Sequence, residues 1–291
     1  MQFGKPIYAS VNEKLNARFA QYKTLIAAHR GSWHGNIMQN TLSAMRAAVR
    51  MGADILETDT TATKDGVVYA LHDGAEPVLL GLPRNAMRLN SETVEHYPML
   101  NALGVPTRQH VERLETLLGG LTHGELINID RTWRAGGLVL PILDTLPHML
   151  QQALIKAPLR EKQILEQLSE HPNKYMFMPI CYSLADVEAA LAYDGLNMVG
   201  VELIAPTPES ELFQDEAIAW IHSRGLFCFV NALVITDADP DEELYGGLDD
   251  NLSVIQDPAL GWGRLMDKGI DVIQTDWPSI LRDYRAARAH A

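Results

Sequence analysis

Short apolar runs of strand length alternate along the chain with stretches whose apolar residues recur at helical spacing. Thr24 to His29 (TLIAAH) is one such run and stops at His-Arg-Gly. Asn40 to Gly52 then sets Leu42, Met45, Ala48 and Val49 on one helical face, with Gly52 as a stop signal. Asp54 to Asp59 is a second run, Lys64-Asp65-Gly66 a turn, and Val67 to Leu71 a third run closing on His72-Asp73. Further runs predict strands at Glu125 to Asp130, Tyr175 to Ile180, Met198 to Leu203, Leu226 to Asn231 and Ile270 to Thr275, eight in all. Helices are expected over Asn12 to Tyr22, His110 to Leu118, Leu184 to Ala192, Glu209 to Ser223 and Leu260 to Lys268. Only TATKDG separates the second strand from the third, so no helix fits there. Residues 74–108 follow with weak periodicity and four prolines, which predicts an irregular, lid-like insertion.

The strand ends carry the chemistry. His29 and Arg30 end the first strand, Glu57 and Asp59 the second, His72 the third and Asp130 the fourth. Strand side chains alternate faces, so Glu57 and Asp59 point the same way, with Thr58 opposite. Two carboxylates on one face repel each other unless a cation or proton lies between them. Carboxylate oxygen suits a hard divalent ion such as Mg²⁺ or Ca²⁺. An isolated E-x-D pair is most often a pair of solvated charges. Three successive strands ending in His, Glu/Asp and His favour a site, because parallel α/β sheets build theirs at strand C-termini.

In order, His29-Arg30-Gly31, Asn40-Thr41, Gly52-Ala53-Asp54, Glu57-x-Asp59, Thr63-Lys64-Asp65-Gly66 and His72-Asp73 resemble the signature of the glycerophosphodiester phosphodiesterase family. That resemblance implies an α/β fold, a (β/α)₈ TIM barrel lacking a helix between strands two and three and carrying an insertion after strand three. It implies metal-dependent hydrolysis of glycerophosphodiesters to glycerol 3-phosphate and an alcohol. Glu57, Asp59 and Asp130 would hold the metal, Arg30 would bind the phosphate, and His29 and His72 would be general acid and base. Asn231 and Trp277 fall where the family lines its mouth with polar or aromatic residues, which makes them candidate substrate contacts. Two positions depart from the pattern. The family has Glu then Lys where this chain has Asp130 and Thr132, leaving Arg131 or Arg134 to supply the missing charge. Gln39 stands where Glu usually precedes Asn-Thr.

Composition narrows the partners. A formal charge of −13 argues against nucleic acid, which rewards a basic face. It also repels a phosphodiester at long range, so local positive charge is needed from the metal and Arg30. The 291 residues, 47% of them apolar, suffice for one barrel domain. No run approaches the roughly 20 apolar residues of a membrane span, and the N-terminal segment has no apolar signal region. Cys181 and Cys228 fall in strands as ordinary buried thiols and give no disulfide framework, which predicts a cytoplasmic address. The first helix could cap the barrel or contribute to a homo-oligomer. His34 is expected at the rim, Glu202 in a structural ion pair, and the acidic stretch Ala238 to Asp257 as a solvated loop. The rival readings are another metal-dependent barrel enzyme, an isomerase or aldolase, which the scarcity of strand-end lysines disfavours, and a non-catalytic relative.

Overall fold

The computed structural model describes residues 2–236, 238 and 243–289. Eight parallel strands form a closed ring: β1 (Leu25–Ala28), β2 (Ile55–Ala62), β4 (Leu126–Asp130), β5 (Ala153–Pro158), β6 (Met176–Cys181), β8 (Gly200–Leu203), β9 (Phe227–Asn231) and β10 (Val272–Thr275). Closure comes from β1, which pairs with β10 on one side and β2 on the other. The short β7 (Asn197–Met198) pairs with the start of β6. Helices pack outside, so the architecture is the TIM barrel that the alternation implied.

The eighth barrel strand is not the one the apolar runs suggested. The predicted third strand, here β3 (Val68–Ala70), pairs antiparallel with the far end of β2 and stays outside the ring. No helix separates the two, as TATKDG required, because they form a hairpin. The missing barrel strand is β5, a run overlooked because Lys156 interrupts it. A charge in a buried strand breaks the apolar pattern by which strands are recognised, and it survives only with partners.

Local capping sets the helix over Leu42–Met51. Thr41 accepts from Ala44 N, and Gly52 closes the helix with φ +92°. Its buried face is Ala44, Met45 and Ala48, whereas Val49 is exposed. The helix expected from His110 begins only at Leu114, since Arg113 is drawn into a bridge with Tyr69.

The insertion is more ordered than its prolines suggested. Short helices cover Glu76–Leu80, Ala86–Arg88 and Ser91–His96, around a cluster of Tyr69, Leu71, Leu79, Leu80, Val94 and Met99. The buried Glu76 carboxylate accepts from Gly74 N and Ala86 N, pinning the loop through backbone donors.

Residues 239–242 of the acidic stretch lie outside the described residues. The part beyond them is structural rather than solvated. Tyr245 is buried, and Asp250 accepts from Trp262 Nε1, Thr275 Oγ1 and Asp276 N at 2.8–2.9 Å. Burial pushes the Asp250 carboxyl up to about 7, against the pull of those three donors.

Inside the ring, side-chain parity builds two layers. The floor is apolar: Leu25, Ala27, Ile55, Leu126, Leu154, Met178, Phe229 and Val272. Two residues further along six of these seven strands come His29, Glu57, Asn128, Lys156, Asn231 and Gln274, a polar layer at the C-terminal end.

Candidate active site

Glu57 and Asp59 project inward from β2, and Asp130 lies level with Asp59 in the β2–β4 register. The three carboxylates each offer an oxygen within 4.8 Å of the others, and Glu57 and Asp59 are buried. Burial, then the neighbouring Asp59 charge, raises the Glu57 carboxyl well above its ordinary range. Burial pushes Asp59 up too, but Arg30, His72, His29 and a hydrogen bond from Asn40 outweigh it and hold its carboxyl low.

The loop after β1 is shaped to deliver those contacts. Arg30 and Asn40 both adopt left-handed backbone, φ +54° and +56°, which costs energy in any residue but glycine. Arg30 N donates to Glu57 Oε2 at 2.8 Å, and its Nε lies 2.8 Å from Asp59 Oδ2 as an ion pair. Its guanidinium also donates to Gln39 Oε1 at 2.8 Å. Asn40 donates to Asp59 Oδ2 at 3.1 Å and accepts from Thr58 Oγ1 and Asp59 N. Gly31, φ +75°, has no room for a side chain: a Cβ would sit 2.7 Å from the Ala44 carbonyl carbon.

The two histidines flank this cluster, each near enough to Asp59 to pull its titration down. His29 Nδ1 lies 2.9 Å from Asp276 Oδ1. His72 Nδ1 lies 2.9 Å from the Asp73 carbonyl, which can only accept, so that nitrogen carries the proton. Burial lowers the His72 pKa, and the Arg30 and Arg131 charges add to that against the attraction of Asp59.

Arg131 does not replace the missing lysine. Its guanidinium forks onto Asp73 (Nε at 2.8 Å), while Arg134 lies 3.7 Å from the same carboxylate. The lysine comes instead from β5. Lys156 Nζ is 3.0 Å from Asp130 Oδ2 and 2.9 Å from Glu202 Oε2. Thr132 is buried beneath, donating to the Lys156 carbonyl at 3.3 Å. Glu202 is therefore ion-paired, as expected, and it accepts from Asn231 Nδ2 at 2.7 Å. Asn231 thus connects to the carboxylates through Glu202 and Lys156. Trp277 does not reach them: it is 42% exposed at the rim, its ring 6.2 Å from that of His34.

His29, Arg30, Glu57, Asp59, His72 and Asp130 are thus brought together. Sequence reasoning missed Lys156, Asp276 and Gln274. A lone lysine inside LIKAP, and the acidic residue of Asp276-Trp277-Pro278 after the last strand, were the available signals.

A family model described as the glycerophosphoryl diester phosphodiesterase family matches residues 29–174, half of the chain, and one described as a domain of unknown function matches residues 177–285. The β5–β6 pairing, Ile155 opposite Phe177, crosses the boundary between them. A glycerophosphodiester phosphodiesterase of Caldanaerobacter subterraneus is 45% identical over 51 residues, 18% of this chain and 21% of that protein. A probable glycerophosphodiester phosphodiesterase of Mycobacterium tuberculosis is 33% identical over 103 residues, 35% and 36% of the two chains. The matched stretch spans about a fifth to a third of these curated relatives. A glycerophosphoryl diester phosphodiesterase structure from Parabacteroides distasonis superposes with TM-score 0.71 at 16% identity, over 94% of this chain and 92% of that one. A phosphodiesterase from Oleispira antarctica, solved with the product sn-glycerol-3-phosphate, gives TM-score 0.64 at 14% identity, over 91% and 98%. At these identities the likeness is one of fold.

Proposed function

Because the chain belongs to the glycerophosphoryl diester phosphodiesterase family, we propose that it hydrolyses a glycerophosphodiester to glycerol 3-phosphate and an alcohol, with two histidines as acid and base and a divalent cation. The observation that carries this reading is the convergence of three carboxylates, Arg30 and two histidines on one barrel mouth, with neither histidine Nε2 hydrogen-bonded to any described residue.

The carboxylates fit a hard cation: all donors are oxygen, two are buried, and burial, followed by repulsion from Asp59, already raises the Glu57 carboxyl well above its ordinary range. Glu57, Asp59 and Asp130 would hold Mg²⁺ or Ca²⁺, which when bound would offset their charge and polarise a phosphoryl oxygen.

Arg30 binds the phosphate. Asp59 and Gln39 fix its guanidinium, leaving its other N–H groups for a phosphate oxygen. Gln39 orients that arginine without neutralising it, which a glutamate there would do. His72 is the base, since its protonated Nδ1 and lowered pKa leave a lone pair on Nε2 at neutral pH. It takes a proton from the attacking water as the water oxygen bonds to phosphorus. His29 is the acid. Asp276 orients its ring through Nδ1, and its Nε2 passes a proton to the leaving alkoxide as the P–O bond breaks.

Lys156 weighs against an isomerase or aldolase. Although burial opposes its charge, Asp130 and Glu202 hold its pKa well above the usual lysine range, so it offers neither a base nor a free amine. We further read residues 1–291 as one domain with the 74–108 insertion, acting on a small substrate rather than nucleic acid. The buried, unpaired Cys181 and Cys228 support a cytoplasmic address, and no described helix is long and apolar enough to cross a membrane.

The test is release of glycerol 3-phosphate from glycerophosphocholine and glycerophosphoethanolamine, with Mg²⁺, with Ca²⁺ and with EDTA, beside Glu57→Ala. Ion-dependent release lost in the variant is expected. A folded protein that releases nothing with either ion would overturn the reading in favour of a non-catalytic relative.

A further inference from the structure

The proposed chemistry uses one side of the polar layer and leaves the side from β8 to β10 without a task. There Glu202 Oε1 accepts from Asn231 Nδ2 at 2.7 Å, and Glu202 Oε2 is ion-paired to Lys156 at 2.9 Å. The carboxylate fixes the Asn231 amide, since only its nitrogen can donate. Asn231 Oδ1 therefore faces away, and it has no hydrogen-bond partner among the described residues. Gln274 stands opposite Asn231 in the β9–β10 register, and its Oε1 is also without one. These side chains are 7% and 2% exposed. Buried acceptors without donors are costly, and two side by side on the inner face of the barrel call for a donor from outside the chain.

Charge decides what kind of donor. Asn231 Nδ2 and Lys156 already engage the two oxygens of Glu202, so what this wall presents is a pair of neutral carbonyl oxygens rather than a carboxylate. Neither carbonyl oxygen carries a formal charge with which to pair an ammonium group. Neutral hydroxyls satisfy both carbonyl oxygens and bring no charge into a buried layer.

We propose that Asn231 and Gln274, oriented by Glu202 and Lys156, form a hydroxyl-recognition subsite for the alcohol esterified to the phosphate at the carboxylate cluster. The proposal rests on the phosphodiesterase reading insofar as the phosphate anchors the ligand. The hydroxyls have two possible sources, the glycerol of the glycerophosphate or a polyol head group.

Two matched pairs of phosphomonoesters separate these sources by calorimetric titration of the full chain in Mg²⁺. One pair is glycerol 3-phosphate and n-propyl phosphate; the other is inositol 1-phosphate and cyclohexyl phosphate. In at least one pair the hydroxylated member should bind at least about tenfold more tightly. Gln274→Met, a near-isosteric loss of an oxygen that has no hydrogen-bond partner among the described residues, should bring that preference to within about twofold. The pair that responds identifies the source. A wild-type preference near one in both pairs, a preference that survives the substitution, or no binding of any member would each overturn the subsite; a near-unit preference means that water alone satisfies the two carbonyls. Hydroxyl-selective binding by a protein that cleaves no diester would keep the subsite and sink the phosphodiesterase reading.

Discussion

Lys156 Nζ lies 3.0 Å from Asp130 Oδ2, joining β5 to β4 at the level of the carboxylate cluster. A buried lysine thus sits beside a candidate metal ligand and shares its charge with Glu202. Removing it strands two carboxylates. Lys156→Met should lower stability by about 3–5 kcal/mol in urea titrations, the usual cost of leaving buried charge unpaired. It should also make the cluster more negative and tighten Mg²⁺ binding. An unchanged urea midpoint would show that the pair is not a net prop of the fold.

The cluster itself should respond to ions. Mg²⁺ at a hundred times its Kd should stabilise the protein by about 2.7 kcal/mol, reversed by EDTA. Glu57→Gln should abolish most of that gain while raising the ion-free melting temperature, because it removes a buried charge from a cluster of three repelling carboxylates. A Tm indifferent to both ion and substitution would remove the cluster from consideration as a cation site.

His29→Ala and His72→Ala should each reduce kcat by about 10²–10⁴ with little change in Tm. Asp276→Asn should act through His29, lowering kcat by about tenfold or more with KM nearly constant, because it disturbs the orientation of the ring. Equal losses in kcat and stability would mark Asp276 as structural only.

At the far end of the barrel His222 Nε2 is 2.7 Å from Asp271 Oδ2, and that hydrogen bond raises the His222 pKa despite partial burial. A folded-state pKa above the unfolded one gives a stabilisation that is complete below about pH 6.5 and fades as pH rises through the folded value. Urea midpoints should therefore fall from pH 6 to 8, and His222→Gln should flatten that slope. A slope identical in the variant would assign it to other groups.

Gly31→Ala should cost about 2–5 kcal/mol, combining a left-handed backbone with a backbone clash at Ala44. Soluble expression and thermal melts would report it. A neutral outcome would mean that the loop after β1 adjusts freely, and with it the placement of Arg30.

The apolar runs made the barrel legible, and the strand ends exposed His29, Arg30, Glu57, Asp59, His72 and Asp130. What failed did so for physical reasons. β3 has the composition of a barrel strand, yet its short turn permits only antiparallel pairing, because parallel strands need a long crossover. β5 was hidden by Lys156, whose partners Asp130 and Glu202 are 26 and 46 residues away in the chain. No local pattern reveals a charge that is neutralised from such a distance. The same applies to Asp276, which meets His29 only because the first and last strands pair.

The hairpin has a consequence for how such an enzyme can change. His72 leaves the end of β3, which also leads into the helical insertion, and together they form a peripheral cassette grafted onto β2. Asp73 latches that cassette to Arg131 beside Asp130. The histidine proposed as proton acceptor and the insertion that follows it are therefore carried as one part. Exchanging the cassette between homologues would replace that imidazole and the insertion in a single step, whereas substitutions on the β8–β10 wall leave the position of the imidazole untouched.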